Sequence, residues 1–210
     1  MKKRILIPLA VLGLLAWLSA CSSAPKPIEL FNGKNLDGWI GYLEDKSLDP
    51  AREFVVKDGV IHLSGKLGYL YTEKTYSDYK LEVEWRWPDT LSNSGIFLHM
   101  TPEDKALPPM FECQLKAGDA GALYGFSGPL TQEMRDAGHY GMPRLLPSNE
   151  KPVGQWNKAE ITCEGDNITI YINGELQNRA TGASVSSGYV ALQSEGLDVE
   201  FRNVVLTPLK

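Results

Sequence analysis

The sequence predicts an all-β fold, a jelly-roll sandwich of two antiparallel sheets, and three observations predict it. Short runs of alternating apolar and polar residues recur along most of the chain. Gly, Asn and Asp turns separate these runs at short spacing, and no segment sustains a helical period. Many short strands with such punctuation are the pattern of two sheets packed face to face.

The opening segment reads as a processing signal. Lys2, Lys3 and Arg4 precede an apolar run over 5–17, and Leu18-Ser19-Ala20-Cys21 follows. A charged start, an apolar run and small residues before a cut define a secretory signal. The run is shorter than the ~20 apolar residues a membrane-spanning helix needs. Leu-Ser-Ala-Cys resembles the bacterial lipobox, so residues 1–20 are expected to be a lipoprotein signal, Cys21 the lipidated residue and 21–27 a short linker. The alternative is an ordinary signal followed by a chance Cys. Ser22 rather than Asp after the Cys points to the outer membrane, on its periplasmic or exterior face, as the anchoring site. The domain itself is expected over 28–210.

The chain carries 21 Lys and Arg against 26 Asp and Glu. Cleavage before Cys21 removes three cations, leaving 18 and a formal charge of −8. An acidic domain without cationic clusters excludes nucleic acid as a partner. Cys113 and Cys163 remain, both on apolar sides of expected strands. An oxidising compartment permits a disulfide, and two buried thiols fit equally well.

Expected strands cover 53–57, 60–63 and 69–72, with Asp58-Gly59 as a hairpin turn. Residues 79–87 alternate strictly, Tyr79, Leu81, Val83, Trp85 and Trp87 on one side and Lys80, Glu82, Glu84 and Arg86 on the other. Runs at 96–100, 111–116, 159–163, 168–172, 189–193 and 199–206 follow, with Asn173-Gly174 as a second strong turn. The stretch 124–156 departs from this pattern. A loop that long in a compact domain is usually functional. Its His, Tyr, Met and Leu content suits an ordered loop, with a short helix over 131–137 capped by Thr131.

Alternation assigns two faces at once. With Ile96, Leu98 and Met100 inward, Phe97 and His99 project outward; with Phe111, Cys113 and Leu115 inward, Glu112, Gln114 and Lys116 do. If these strands share one sheet, its outer face collects Glu84, Arg86, His99, Glu112, Gln114, Gln193, Glu200 and Arg202. Carboxylates, guanidinium groups, amides and an imidazole suit a polyhydroxyl ligand, with aromatic rings against its C–H faces. The competing reading is a solvated sheet face with charges paired across strands. No metal cluster is expected, because His62, His99 and His139 have no ligand spacing and no two Cys lie close. Neither a nucleophile elbow nor a phosphate loop occurs. No cofactor is expected; an oxygen-ligated divalent cation is compatible with the composition, but no motif asks for one.

An ordered series of motifs then resembles a known family. Leu30-Phe31-Asn32-Gly33-Lys34-Asn35-Leu36-Asp37-Gly38-Trp39 opens it, followed by Asp58-Gly59-Val60-Ile61, Gly68-Tyr69-Leu70-Tyr71-Thr72 and Glu84-Trp85-Arg86. Asn93-Ser94-Gly95-Ile96-Phe97-Leu98, Phe111-Glu112-Cys113-Gln114, Gly121-Ala122-Leu123-Tyr124-Gly125, Gly154-Gln155-Trp156-Asn157, Leu192-Gln193 and Glu200-Phe201-Arg202-Asn203 continue it. The series is similar to the 3-keto-disaccharide hydrolase family. That resemblance implies a concanavalin-like jelly roll acting on glycosides oxidised at C3, a small oligosaccharide or glycoside being the substrate. Face and motif together make Glu112 the candidate base, His99 its proton-transfer neighbour and Arg86 or Arg202 the enolate stabiliser. Glu84, Asn93, Gln114, Tyr124, His139, Gln193 and Arg202 are the candidate substrate contacts. A non-catalytic sugar-binding module is the alternative, and a structural envelope lipoprotein a third reading, because fold alone does not fix function.

Overall fold

The computed structural model describes residues 25–209; the expected signal over 1–20 and the lipid site at Cys21 lie outside the described residues. In chain order the elements are β1 (Ile28–Glu29), β2 (Trp39–Leu43), α1 (Pro50–Glu53), β3 (Phe54–Lys57), β4 (Val60–Leu63), β5 (Gly68–Ser77), β6 (Tyr79–Arg86), β7 (Gly95–Met100), β8 (Met110–Gln114), β9 (Leu123–Phe126), α2 (Gln132–Ala137), β10 (Gly141–Met142), β11 (Asn157–Glu164), β12 (Asn167–Ile172), β13 (Glu175–Ala180), β14 (Ser187–Ser194) and β15 (Val199–Pro208). They form two antiparallel sheets, as the sequence predicts. The first runs β13-β12-β11-β6-β15-β4-β3, with β1 against β15; the second runs β10-β9-β8-β7-β14-β5-β2.

The β6 strand shows why the layers hold. Tyr79, Leu81, Val83 and Trp85 are buried, while the alternate residues are half-exposed. Facing them from the second sheet are Ile96, Leu98, Phe111, Cys113, Val190 and Leu192, all in the core between the sheets. Each such aliphatic or aromatic side chain contributes about 1.5–3 kcal/mol by leaving water. Tight turns set the register. Asp58 and Gly59 both take positive φ (53° and 77°), as do Asn173 and Gly174 (49° and 85°), which matches the twist of the hairpin strands they join.

The second sheet is buried on both sides. A separate cluster of Tyr69, Phe97, Met100, Met110 and Ala191 lies on its outer face, with Tyr42, Tyr71, Phe126 and Tyr189 packed around it. Residues 101–109, between β7 and β8, strap this face. Tyr69 Oη donates to the Glu103 carbonyl at 3.1 Å, Lys46 pairs with Asp104, and Ser127 Oγ donates to the Leu107 carbonyl at 2.8 Å. The second face therefore has a roof over one end.

The region 124–156 is ordered into β9, α2 and β10. Thr131 caps α2 by accepting from Met134 N at 3.3 Å, and Gly138 closes it in the left-handed conformation. Cys113 and Cys163 are free, buried thiols on opposite sheets. Burial pushes Cys163 up to about 12 and Cys113 higher still.

Candidate active site on the outer face of the second sheet

The expected cluster of eight polar residues divides between the two sheets. Glu84 and Arg86 lie on β6 and Glu200 and Arg202 on β15, so they sit on the outside of the first sheet. Glu112 and Gln114 lie on β8 and Gln193 on β14, on the outside of the second. The whole sandwich separates the groups. Arg86, expected to stabilise charge beside Glu112, cannot reach it, and neither can Glu84 or Arg202. Alternation fixes which face a side chain takes, but not which sheet its strand joins.

The charges on the first face are satisfied by one another. Arg86 and His62 both pair with Glu200, the latter at 3.1 Å, and Arg202 Nε donates to Glu84 Oε2 at 2.6 Å. Lys158 pairs with Glu82 at 2.6 Å and Lys80 with Glu160 at 2.8 Å. Both guanidinium groups stack on Trp156, with carbon-to-centroid distances of 4.6 Å for Arg86 and 4.1 Å for Arg202. This is the paired sheet face that competed with the site reading.

His99 departs for a different reason. Between Phe97 and Met100 two residues of β7 oppose one of β14, and His99 takes a φ of 51°. This β-bulge turns Met100 outward beside Phe97 and swings His99 into the space between the sheets. Its ring meets Tyr79 of the first sheet edge-on at 5.6 Å, and its Nδ1 lies 3.2 Å from the Val185 carbonyl. Burial lowers its pKa to about 4. The imidazole is a neutral core residue and not a neighbour of the Glu112 carboxylate.

What remains on the second face is compact. Glu112 lies opposite Phe97 on one side and Tyr124 on the other. Gly95 is the reason its side chain can be buried there: a Cβ on Gly95 would lie 2.0 Å from Glu112 Oε1. The carboxylate folds over the bare backbone of β7. One register step on, Leu192 faces Ile96, which sets Gln193 beside Gly95, and Asn93 bridges Glu195 in the adjoining position. Gln193 Nε2 donates to Glu195 Oε2 at 2.9 Å, while the side-chain oxygen Oε1 of the same amide has no partner.

Three buried oxygens here have no hydrogen-bond partner: Glu112 Oε1, Gln193 Oε1 and Asn93 Oδ1. Buried acceptors are normally satisfied, and each unmade bond costs ~1–3 kcal/mol. Hydroxyl donors are the groups that such a floor of acceptors is chemically suited to receive. Burial, and then the charge of Glu195, push Glu112 up to about 8. Such a group exchanges its proton near neutral pH, as an acid or base must.

Donors line the other edge. Tyr124 Oη donates to Asp119 Oδ2 at 3.4 Å and Arg144 Nε to Asp119 Oδ1 at 3.3 Å. His139 stacks on Tyr140, with ring centroids 4.8 Å apart, and accepts from Gly141 N through Nδ1 at 3.0 Å. Gln114 Oε1 accepts from the Leu115 and Lys116 amides, so that oxygen holds the turn after β8. Of the expected residues, Glu112, Asn93, Gln114, Tyr124, His139 and Gln193 come to this side of the sandwich. Gly95, Asp119, Arg144 and Glu195 join them without having been foreseen. Glu195 was readable, because it stands two residues after Gln193 and so shares its face. Arg144 comes from an irregular stretch with no periodicity to read. Among the described residues no group of three His, Cys, Asp or Glu could hold a metal ion.

A family profile for the 3-keto-alpha-glucoside-1,2-lyase-like domain matches residues 26–207. The chain belongs to that family. A 3-keto-disaccharide hydrolase of Bacteroides thetaiotaomicron is 26% identical over 84% of this chain and 76% of its own length. Among solved structures, a provisionally assigned glycosyl hydrolase of Parabacteroides distasonis superposes with a TM-score of 0.67 at 20% identity, over 88% of this chain and 94% of that one. The β-glucanase of Bacillus licheniformis gives 0.61 at 14% identity, over 90% and 100%, and the carbohydrate-binding module CBM66 of Bacillus subtilis gives 0.55 at 15%, over 81% and 95%. These likenesses show the jelly-roll fold. Membership of the family makes this a glycosidase-like, carbohydrate-active protein.

Proposed function

We propose that the protein hydrolyses glycosides whose sugar carries a ketone at C3, with Glu112 as the group that takes the C2 proton. The ketone acidifies that proton. Removing it places negative charge on the C3 oxygen, and collapse of the enolate breaks the C1–O bond. The leaving alkoxide takes up a proton, giving an alcohol and an unsaturated 3-keto sugar. Water then adds at C1, and the net change is hydrolysis. Glu112 is also the proton source for the leaving oxygen, since it holds the abstracted proton at that stage.

The observation that carries the reading is the buried Glu112 carboxyl amid partnerless acceptor oxygens on an outer sheet face. Asn93, Gln193 and Glu195 accept from sugar hydroxyls, and the Arg144 guanidinium, with N–H groups left over after Asp119 and the Leu146 carbonyl, supplies the donors that a developing oxyanion needs. A sugar-binding module would want the hydroxyl acceptors but has no use for a carboxyl pushed up to about 8.

Incubation of the purified domain with a 3-keto disaccharide and its unoxidised parent tests this. Cleavage of the keto sugar alone is expected, reduced by about 10²–10⁴-fold in Glu112→Gln. Cleavage of neither sugar defeats the enzyme reading. Cleavage that Glu112→Gln leaves untouched defeats the assignment of the base.

A further inference from the structure

Beside Glu112, across strand β9, lies a cleft of about 360 Å³ lined by Gly125, Phe126, Ser127, Gly128, Leu130 and Tyr140. We propose that this cleft is the leaving-group subsite and that it takes a flat apolar aglycone, an aryl group above all, in preference to a second sugar. The inference rests on the reading of Glu112 as the proton-transferring group.

Placement comes first. Tyr124 is the cross-strand partner of Glu112, and Gly125 and Phe126 are the next two residues of the same strand. A sugar ring over the acceptors at Gln193, Glu195 and Asn93 has Glu112 at its edge. A substituent leaving across Glu112 passes Tyr124 and enters the cleft.

The chemistry of the walls comes second. Phe126 and Tyr140 are 5.7 Å apart between centroids, and each lies 6.0 Å from Tyr124. His139 backs Tyr140 in a stacked arrangement at 4.8 Å. The three rings form a continuous aromatic wall, and Tyr140 is 50% exposed, so a ligand can reach it. Polar groups are scarce in the lining. The one side-chain hydroxyl besides Tyr140 belongs to Ser127, and it is spent on the Leu107 carbonyl at 2.8 Å. A second sugar would have to strip several hydroxyls of water and find few partners, an unfavourable exchange. An aryl ring loses nothing of that kind and gains offset or edge contacts with the wall.

The backbone builds the cleft for good. Pro129 O approaches β9 so closely that a Cβ on Gly125 would lie 2.0 Å from it. Gly125 N donates to the Tyr140 carbonyl at 2.7 Å, pinning the aromatic wall to the strand. Ser127 and Gly128 take positive φ (56° and 131°), which turns the chain back over the opening. A preformed apolar recess next to a polar reacting centre is the usual form of a small-molecule subsite.

The test has a kinetic arm and a binding arm. In the first, phenyl 3-keto-glucoside and a 3-keto disaccharide of the same anomeric configuration are compared for wild type, Tyr140→Ala and Leu130→Ala. A kcat/KM ratio of about tenfold or more in favour of the phenyl glycoside is expected, falling towards one in Tyr140→Ala. In the second, unoxidised phenyl glucoside and the unoxidised disaccharide are titrated calorimetrically into the same proteins. Tighter binding of the phenyl compound, weakened at least about threefold by Tyr140→Ala, is expected. Equal or better handling of the disaccharide, or indifference of the phenyl preference to both variants, overturns the subsite. If neither keto sugar is cleaved but phenyl glucoside still binds preferentially through Tyr140, the hydrolase reading falls and the aryl subsite stands.

Discussion

The outer faces of the two sheets carry similar residues and dispose of them in opposite ways. On the first sheet Arg86, Arg202, Lys80 and Lys158 find Glu200, Glu84, Glu160 and Glu82, the His62 ring also touches Glu200, and the two arginines lie on Trp156. Each charge is answered where it stands. On the second sheet Glu112, Gln193 and Asn93 keep buried oxygens without partners, and Glu195 sits close enough to raise the pKa of Glu112. A closed network adds a little stability and has nothing left to offer a ligand. An incomplete one costs stability and is thereby ready to bind. That contrast in how the charged and acid groups are answered is what supports the proposed site on the second face.

Stability against pH exposes that cost most strongly. Glu112 has a folded pKa of about 8 against an ordinary 4.5. Its folded value is raised, so its contribution is intact below the unfolded pKa and is lost as pH rises through the folded one. The loss is on the order of 5 kcal/mol once pH exceeds about 8. Wild type should therefore lose stability relative to Glu112→Gln between roughly pH 5 and 8, read by denaturant unfolding at each pH. A constant difference would mean that the carboxyl is not buried as described.

His99 gives the reverse slope from the other side of the same sheet. Its pKa falls from 6.5 to about 4, so its contribution is intact above 6.5 and is lost as pH falls through 4. The loss is on the order of 3 kcal/mol. His99→Gln should flatten the acid limb of the unfolding curve, whatever it does to stability at neutral pH. An unchanged acid limb would return the imidazole to solvent.

Gly95→Ala tests the packing under Glu112. The added methyl would fall 2.0 Å from Oε1 and must push the carboxylate aside. A displacement near 1 Å in a reacting group costs about 10²-fold, so kcat/KM on a 3-keto sugar should fall by that order. Activity within a few-fold of wild type would show that the carboxylate's placement over β7 is not needed. On the opposite face, Glu200→Gln should cost about 1–3 kcal/mol of stability, because Glu200 is buried and answers both Arg86 and His62. It should leave kcat/KM within about threefold, as expected for a substitution on the remote sheet. A large kinetic defect there would bring the two faces into one mechanism.

These results bear on how much could be read in advance. Strand β6 alternates without interruption, and its inward and outward sides follow from the sequence alone. The jelly-roll crossovers do not: β6 and β15 enter one sheet while β7, β8 and β14 enter the other. Alternation is local, and sheet membership is decided by long-range pairing. At His99 even the local rule fails, since a bulge shifts the face by one residue within β7. Strand β13 is not legible in the sequence because its buried side chains include Gln177 and Asn178, amides that hold the irregular segment above it. Thr131 and the helix it caps are legible because a cap and the amide that donates to it lie three residues apart. Glu112 was found from face and motif together, whereas Asp119 and Arg144 depend on a loop whose path no periodicity announces.

The most direct measurement sets one residue from each face side by side. Purified Glu112→Gln and Arg86→Met are compared with wild type for kcat/KM on a 3-keto disaccharide, with folding of each checked by thermal unfolding. A loss of about 10²–10⁴-fold is expected for Glu112→Gln, with Arg86→Met remaining within about threefold of wild type. A folded Arg86→Met protein as inactive as Glu112→Gln, or a fully active Glu112→Gln, would contradict the assignment of the site to the second sheet.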